Sequence, residues 1–417
     1  MRYLFLPILS LGFSISAIAA TPDPVTGPAA VEAFLEAYES QLATSPQRRT
    51  ELDALCRQLD CDASRLFWHT DLEAAKAAAQ ESDKPILSLR LLGNLDEDLS
   101  CANSRFFRVA LYPNSEVSQK LRDRFILHWE SVRPVPKVTV DFGDGRTLER
   151  TLTGNSIHYI LSPEGRPIEA IPGLYGPGAF LRQLQRAEDA VLAYQTQHPA
   201  QREDFLRQYH QDRLSALQQQ WGLDLQTLNA AGVEEPTLDL EAAIDVSTAN
   251  SDGLAEEIES FNALDVSDLA IGKLVVEAPL VTSVMSETNP DRSTLAELTD
   301  RAAWEQLARL YAEDARLDEN SRQLVRRKQG GYSEEQLDRT IASFEAAMAL
   351  DGIRNEYLLH SRLHQWFIDG AGTSDVTGLN ERVYAELFLT PSSDPWLGLL
   401  GPESFSAIDG NGIRGRR

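Results

Sequence analysis

Between Asp224 and Asp291 the chain carries 15 Asp/Glu against a single basic residue, Lys273. Like charges at that density repel one another in any compact arrangement. The apolar clusters within the stretch, Leu274 to Val276 and Leu280 to Val284, are too short to hold it in a core. Residues 223–293 are therefore expected to form an acidic linker, and the foldable sequence must lie on either side of it. Each side has a length ordinary for one domain, so the two sides are expected to fold independently.

The acidity is general. Lys and Arg number 39 and Asp and Glu 63, a net charge of −24. Binding to nucleic acid or to an anionic lipid surface depends on phosphate neutralisation by Lys and Arg, so neither class of partner is expected. At the start, Met1-Arg2 is followed by an apolar run from Leu4 to Ile18 and the A-x-A site Ala17-Ile18-Ala19. This is the order of a secretory signal peptide, residues 1–19, and it predicts an exported protein, periplasmic or extracellular, beginning near Ala20. No other apolar stretch approaches the ~20 residues of a membrane helix. In an oxidising compartment the three cysteines, Cys56, Cys61 and Cys101, allow one disulfide at most. Cys56 and Cys61, five apart, could form a local clip, but spacing alone leaves all three pairings open.

Residues 20–61 read as a helical lead-in, with Phe34, Leu35, Tyr38 and Leu42 on one face of a helix extending to about Leu59. An Ala-rich helix follows over 71–81, and Lys84-Pro85 leads into the apolar strand Ile86 to Leu92. Helices are expected from Cys101 and over 116–125, and strands over 126–132, from 138, over 156–161 and over 167–171. Phe142-Gly143-Asp144-Gly145-Arg146 is a hairpin turn by its Gly and Asp content. Pro177 opens a helix to about Gln197, and residues 198–222 form another. Strands among helices in this order indicate an α/β domain over 62–197. Residues 294–417 are expected to be an all-α domain with a Pro- and Gly-rich tail, with Gly352 as an interruption and Gly370-Ala371-Gly372 as a stop.

Several of these landmarks together resemble the thioredoxin-like superfamily. They are Trp68-His69-Thr70-Asp71-Leu72-Glu73-Ala74-Ala75, then Lys84-Pro85 and the strand to Leu91, then Gly154 to Gly165 with its Ser162-Pro163-Glu164-Gly165 turn, and Gly173-Leu174-Tyr175 before the last helix. The resemblance covers about residues 62–193 and implies a thioredoxin-like α/β fold. Cys101 then falls near the family's attacking cysteine, and Ser104 takes the place of the resolving one, giving Cys101-Ala102-Asn103-Ser104. Ser156 stands where the family's cis-proline would be. A dithiol cycle inside this motif is excluded, because no second thiol is present to resolve a mixed disulfide. Acting on thiols through Cys101 alone, or binding a protein or peptide partner, remains as the implied function. The alternative is a scaffold with no redox role. A helix N-terminus and Arg105 would favour a Cys101 thiolate, while Asp96, Glu97 and Asp98 would oppose it. Arg108 is further away in sequence and carries less weight.

Elsewhere, Glu356, His360 and His364 are spaced by four and would share a helix face offering a carboxylate and two imidazoles. No fourth ligand can be named near them, and the expectation is that neither metal nor cofactor is held. His128 and His158, in apolar strands, read as packed core residues. No nucleophile elbow, P-loop, dinucleotide fingerprint or H-E-x-x-H motif occurs.

Overall fold

A computed structural model describes residues 27–151, 154–230, 301–370, 372–388, 390 and 393. The signal-peptide residues, residues 231–293 of the acidic stretch and the tail beyond 393 lie outside the described residues.

The lead-in is two helices rather than one, α1 (Pro28–Leu42) and α2 (Pro46–Cys56). Pro46 cannot sit inside a continuous helix, because it lacks the N–H the ladder needs, but it suits a first turn. Ser45 caps that turn by accepting from the Arg48 N–H. With the short α3 (Cys61–Ser64) these helices close a small apolar cluster of Val31, Leu42, Leu52, Cys56 and Cys61.

Helix α4 (Leu72–Ser82) begins where the Asp71 carboxylate accepts from the Ala74 N–H and ends at Asp83 in the left-handed region. Strand β1 (Ile86–Leu92) follows, every residue buried. A central strand covered on both faces is mostly apolar, and the two polar residues here are paired, Ser88 with His128 and Arg90 with Glu130. Helix α5 (Ala102–Phe106) runs through a π-turn, Phe107–Leu111, and α6 (Ser115–Arg124) is capped by Asn114. Together they make the crossover that two parallel strands require, leading to β2 (Ile126–Arg133). A separate hairpin, β3 (Lys137–Asp141) and β4 (Thr147–Thr151), precedes β5 (Ser156–Leu161), β6 (Pro167–Pro172) and α7 (Pro177–Thr196). The four-stranded sheet has the order β2-β1-β5-β6. β1 is parallel to β2, with Leu89 opposite Trp129, while β5 runs antiparallel to both β1 and β6.

Helix α8 spans Arg202–Ala230, eight residues beyond the expected end at 222. Its buried face continues through Leu214, Leu217, Trp221, Asp224 and Leu228. Asp224, expected in the solvated linker, is instead buried and accepts from the Tyr311 and Tyr357 hydroxyls. The C-terminal part is helical, as the sequence indicates: α9 (Arg301–Leu310), α10 (Glu319–Lys328), α11 (Glu334–Arg354), α12 (Ser361–Asp369) and α13 (Val376–Arg382). Helix α11 passes through Gly352 without a break and continues by a π-turn, Asn355–His360, into α12. Gly352 packs against Tyr175, where a Cβ would lie at an ordinary contact distance of 3.6 Å from Tyr175 Cα.

The mixed α/β segment and the C-terminal helices share one apolar cluster running from Leu66 to Phe388. Buried polar groups cross the same boundary. Asn155 donates to Thr390 Oγ1 (3.1 Å), Tyr384 donates to the Asn155 carbonyl (3.1 Å), and Asn355 donates to the Leu174 carbonyl (2.8 Å). Among the described residues no helix is long and apolar enough to cross a membrane.

Candidate functional site

Cys101 is the N-cap residue of α5, and its N–H donates to the Leu92 carbonyl at 3.0 Å, fixing the helix start against the end of β1. The side chain is 0% exposed. Cys56 and Cys61 are joined as a disulfide, with Cα atoms 6.3 Å apart, so Cys101 is the free cysteine. Ser104, the position that the resemblance gives to a resolving thiol, has its hydroxyl 2.8 Å from the Cys101 carbonyl and 2.6 Å from Ser100 Oγ. It is spent on holding the turn. Ser156, at the start of β5, is likewise buried, and its carbonyl accepts from the Gly173 N–H.

Two arginines follow the thiol in sequence, Arg105 and Arg108. Arg105 reaches Thr151 Oγ1 of β4 at 2.9 Å. Arg108 lies buried beside Ser100, close enough for Cys101 to act on its charge. Burial draws the Arg108 guanidinium below its ordinary value, while Asp60, Asp98, Asp53 and Cys101 work in the other direction. Asp96 to Asp98 point to solvent. His128 and His158 are fully buried core residues, bonded to Ser88 and Tyr112, and burial takes each imidazole down to about 3.

The second constellation lies where β6, α8 and the α11–α12 run meet. Glu356, His360 and His364 do share a face, as their spacing predicts, and that face is turned inward. His360 lies between two carboxylates, with Nδ1 3.0 Å from Glu356 and Nε2 3.1 Å from Glu169 Oε1. Burial alone would depress this imidazole, but Glu356 and Glu169 outweigh it and raise it to about 9. His364 Nδ1 is 2.9 Å from His210 Nδ1 and 3.9 Å from Glu169 Oε1. His210 Nε2 lies 3.1 Å from the Ile168 carbonyl, and the Tyr209 hydroxyl donates to Glu169 Oε2 at 2.7 Å. Burial lowers His210 to about 4 and holds His364 well below its ordinary value, so both are neutral.

Glu169 and His210 were not visible as partners in the sequence. Glu169 is 191 residues from His360, in a strand that reads as ordinary, and His210 is a lone histidine on a polar helix. The one signal available was that each is a titratable residue within an otherwise regular apolar face.

Glu356 also lines a cleft of about 470 Å³ between α7, α8, the turn Ala312–Ala315 and the α11 end. Its walls carry Arg182, Gln183, Arg186, Arg213 and Tyr311. Arg182 is engaged by Asp314, and Gln183 donates to Glu356 at 2.6 Å. Burial lowers the Arg186 guanidinium below its ordinary value, and the neighbouring Arg213 adds to the effect. Arg213 in turn lies 3.9 Å from Glu356, so the three arginines of the cleft face two carboxylates, Asp314 and Glu356. Set beside family models, curated proteins and solved structures, the chain finds no match.

Proposed function

We propose that the chain is an exported, thioredoxin-like binding protein without a dithiol cycle, in which the position of the redox site has become part of the core. The order of elements supports the thioredoxin-like reading: a first strand, a helix opening at Cys101, a parallel neighbour, an antiparallel strand pair and a closing helix. The Cys56–Cys61 disulfide supports an oxidising compartment. The observation that carries the functional reading is the complete burial of the only free thiol, with a serine in place of its resolving partner. A thiolate must meet its target to exchange with it, and a side chain at 0% exposure cannot do so without local opening. The cleft bearing Arg186 and Arg213 is the place we assign to a protein or peptide partner, through a carboxylate that the two guanidinium groups would receive.

One observation favours the rival reading, action on thiols through Cys101 alone: the buried Arg108 guanidinium lies close enough for Cys101 to act on its charge. Alkylation separates the two. Iodoacetamide applied to the native, unreduced protein is expected to label Cys101 only as fast as the protein opens, and at full speed in denaturant. Native labelling at the speed of an exposed thiol would overturn the binding reading in favour of thiol chemistry.

A further inference from the structure

We propose that Glu169, His210, His360 and His364 form a closed binding site for one divalent transition metal ion of the zinc type, tying β6, α8 and the α11–α12 run together. The ligand atoms are Glu169 Oε1, His210 Nδ1, His360 Nε2 and His364 Nδ1. Those of Glu169, His360 and His364 lie within 4.8 Å of one another. Zinc holds imidazole nitrogen and carboxylate oxygen at about 2.0–2.1 Å, so the edges of its tetrahedron are about 3.3 Å long. The separations are 2.9 Å between His210 and His364, 3.1 Å between His360 and Glu169 and 3.9 Å between His364 and Glu169, on either side of that length. His210 stands outside the group of three that lie within 4.8 Å of one another, so it closes toward the ion as the ion binds.

Separation alone would also suit a hydrogen-bonded network. What distinguishes a metal site is how the outer atoms of the ligands are held, since metal-binding histidines give their second N–H to a carboxylate or carbonyl. A backbone carbonyl can only accept, so His210 Nε2 carries the proton it donates to Ile168 and Nδ1 is left as a lone pair facing His364. His360 gives its Nδ1–H to Glu356, which turns Nε2 toward Glu169. Glu169 is steadied by the Tyr209 hydroxyl on Oε2 and by the Ala170 N–H on Oε1. Three of the four ligands are thus oriented from behind, while the His364 Nε2 has no hydrogen-bond partner.

Three imidazoles and one carboxylate suit zinc and its neighbours rather than calcium or magnesium, which take oxygen ligands. Four protein ligands leave no open position, which is the arrangement of a structural site. The proton now between His360 Nε2 and Glu169 would leave to solvent as the ion enters. Glu356, on both the cleft wall and His360, marks the way in.

The test uses the full chain. Metal-free protein is titrated with Zn²⁺ by calorimetry and with Co²⁺ by visible absorption, and melting is followed with and without Zn²⁺. One equivalent per chain, a tetrahedral Co²⁺ spectrum and a higher melting temperature with Zn²⁺ are expected. His210→Gln and His364→Gln should abolish the spectrum. Glu356→Gln, which only orients His360, should weaken binding about 10–100-fold, and His198→Gln at an exposed position should leave it unchanged. Wild-type protein that takes up no equivalent, or gives no tetrahedral spectrum, overturns the proposal irrespective of how the variants fold. Unchanged binding in folded His210→Gln or His364→Gln overturns it as well, by placing the ion elsewhere.

Discussion

His158 makes stability at mildly acidic pH predictable from burial alone. Its ring lies between Phe107 and Phe180, with Nε2 bonded to the Tyr112 hydroxyl, and it is 0% exposed. Burial lowers the folded-state value to about 3 from an ordinary 6.5. Above the ordinary value the imidazole is neutral in both states and pH has no leverage. As pH falls below it, the unfolded chain takes up a proton that the folded chain refuses, so stability is lost until the folded value is reached. At pH 5 the unfolded histidine is about 1.5 pH units below its midpoint, and at about 1.36 kcal/mol per unit this costs about 2 kcal/mol. The figure is insensitive to the folded value, provided that value stays well below 5. His128, also taken down to about 3, first by burial and then by Arg90 and His69, adds a similar cost. Asp53 acts in the opposite direction, since burial raises its carboxyl to about 6 and folding gains as pH falls through that value. The total slope therefore mixes signs, and a difference between variants isolates the histidine. His158→Gln keeps a neutral polar group near the position of Nε2. Urea unfolding of wild type and variant at pH 7 and pH 5 should show wild type losing about 2 kcal/mol more between the two. A difference below about 0.5 kcal/mol would refute the burial argument.

Replacing both Cys56 and Cys61 by serine should cost about 2 kcal/mol, the loop-closure value for so short a loop, read from urea unfolding without reductant; an unchanged midpoint would contradict it. Leu363→Ala, in the shared core, should cost about 2–5 kcal/mol. Because one apolar cluster spans both parts of the chain, labelling of Cys101 during denaturation should shift to the same lower urea concentration as the loss of helix. Separate shifts would mean the two parts unfold independently. Gly176→Ala should be strongly destabilising, because its Cβ would meet the Asp314 carbonyl and Ala315 Cα, both backbone atoms. A melting temperature within about 2 °C of wild type, a change worth about 1 kcal/mol, would count against that packing.

What could be read along the chain was local. The apolar run of β1 after Lys84-Pro85, the Asp71 cap of α4, the Gly143 and Gly145 hairpin turn and the Pro177 start of α7 each depend on residues a few positions apart. Periodicity and cap chemistry report such neighbours directly. The shared face of Glu356, His360 and His364 was legible for the same reason, and the split at Pro46 was written there too, in a proline that a long periodic stretch masked.

Tertiary packing decided the rest. Whether the face at His360 looks outward or inward depends on Glu169 and His210, which approach from elements far away in sequence. Asp224 looks like one more acid at the edge of an acidic stretch until Tyr311 and Tyr357 donate to it. Cys101 begins a helix in either reading, but only the packing around it makes the thiol inaccessible. The physical reason is common to all three. A side chain's type sets what it can bond to, whereas its charge state and reach are set by burial and by partners that the fold brings in from a distance.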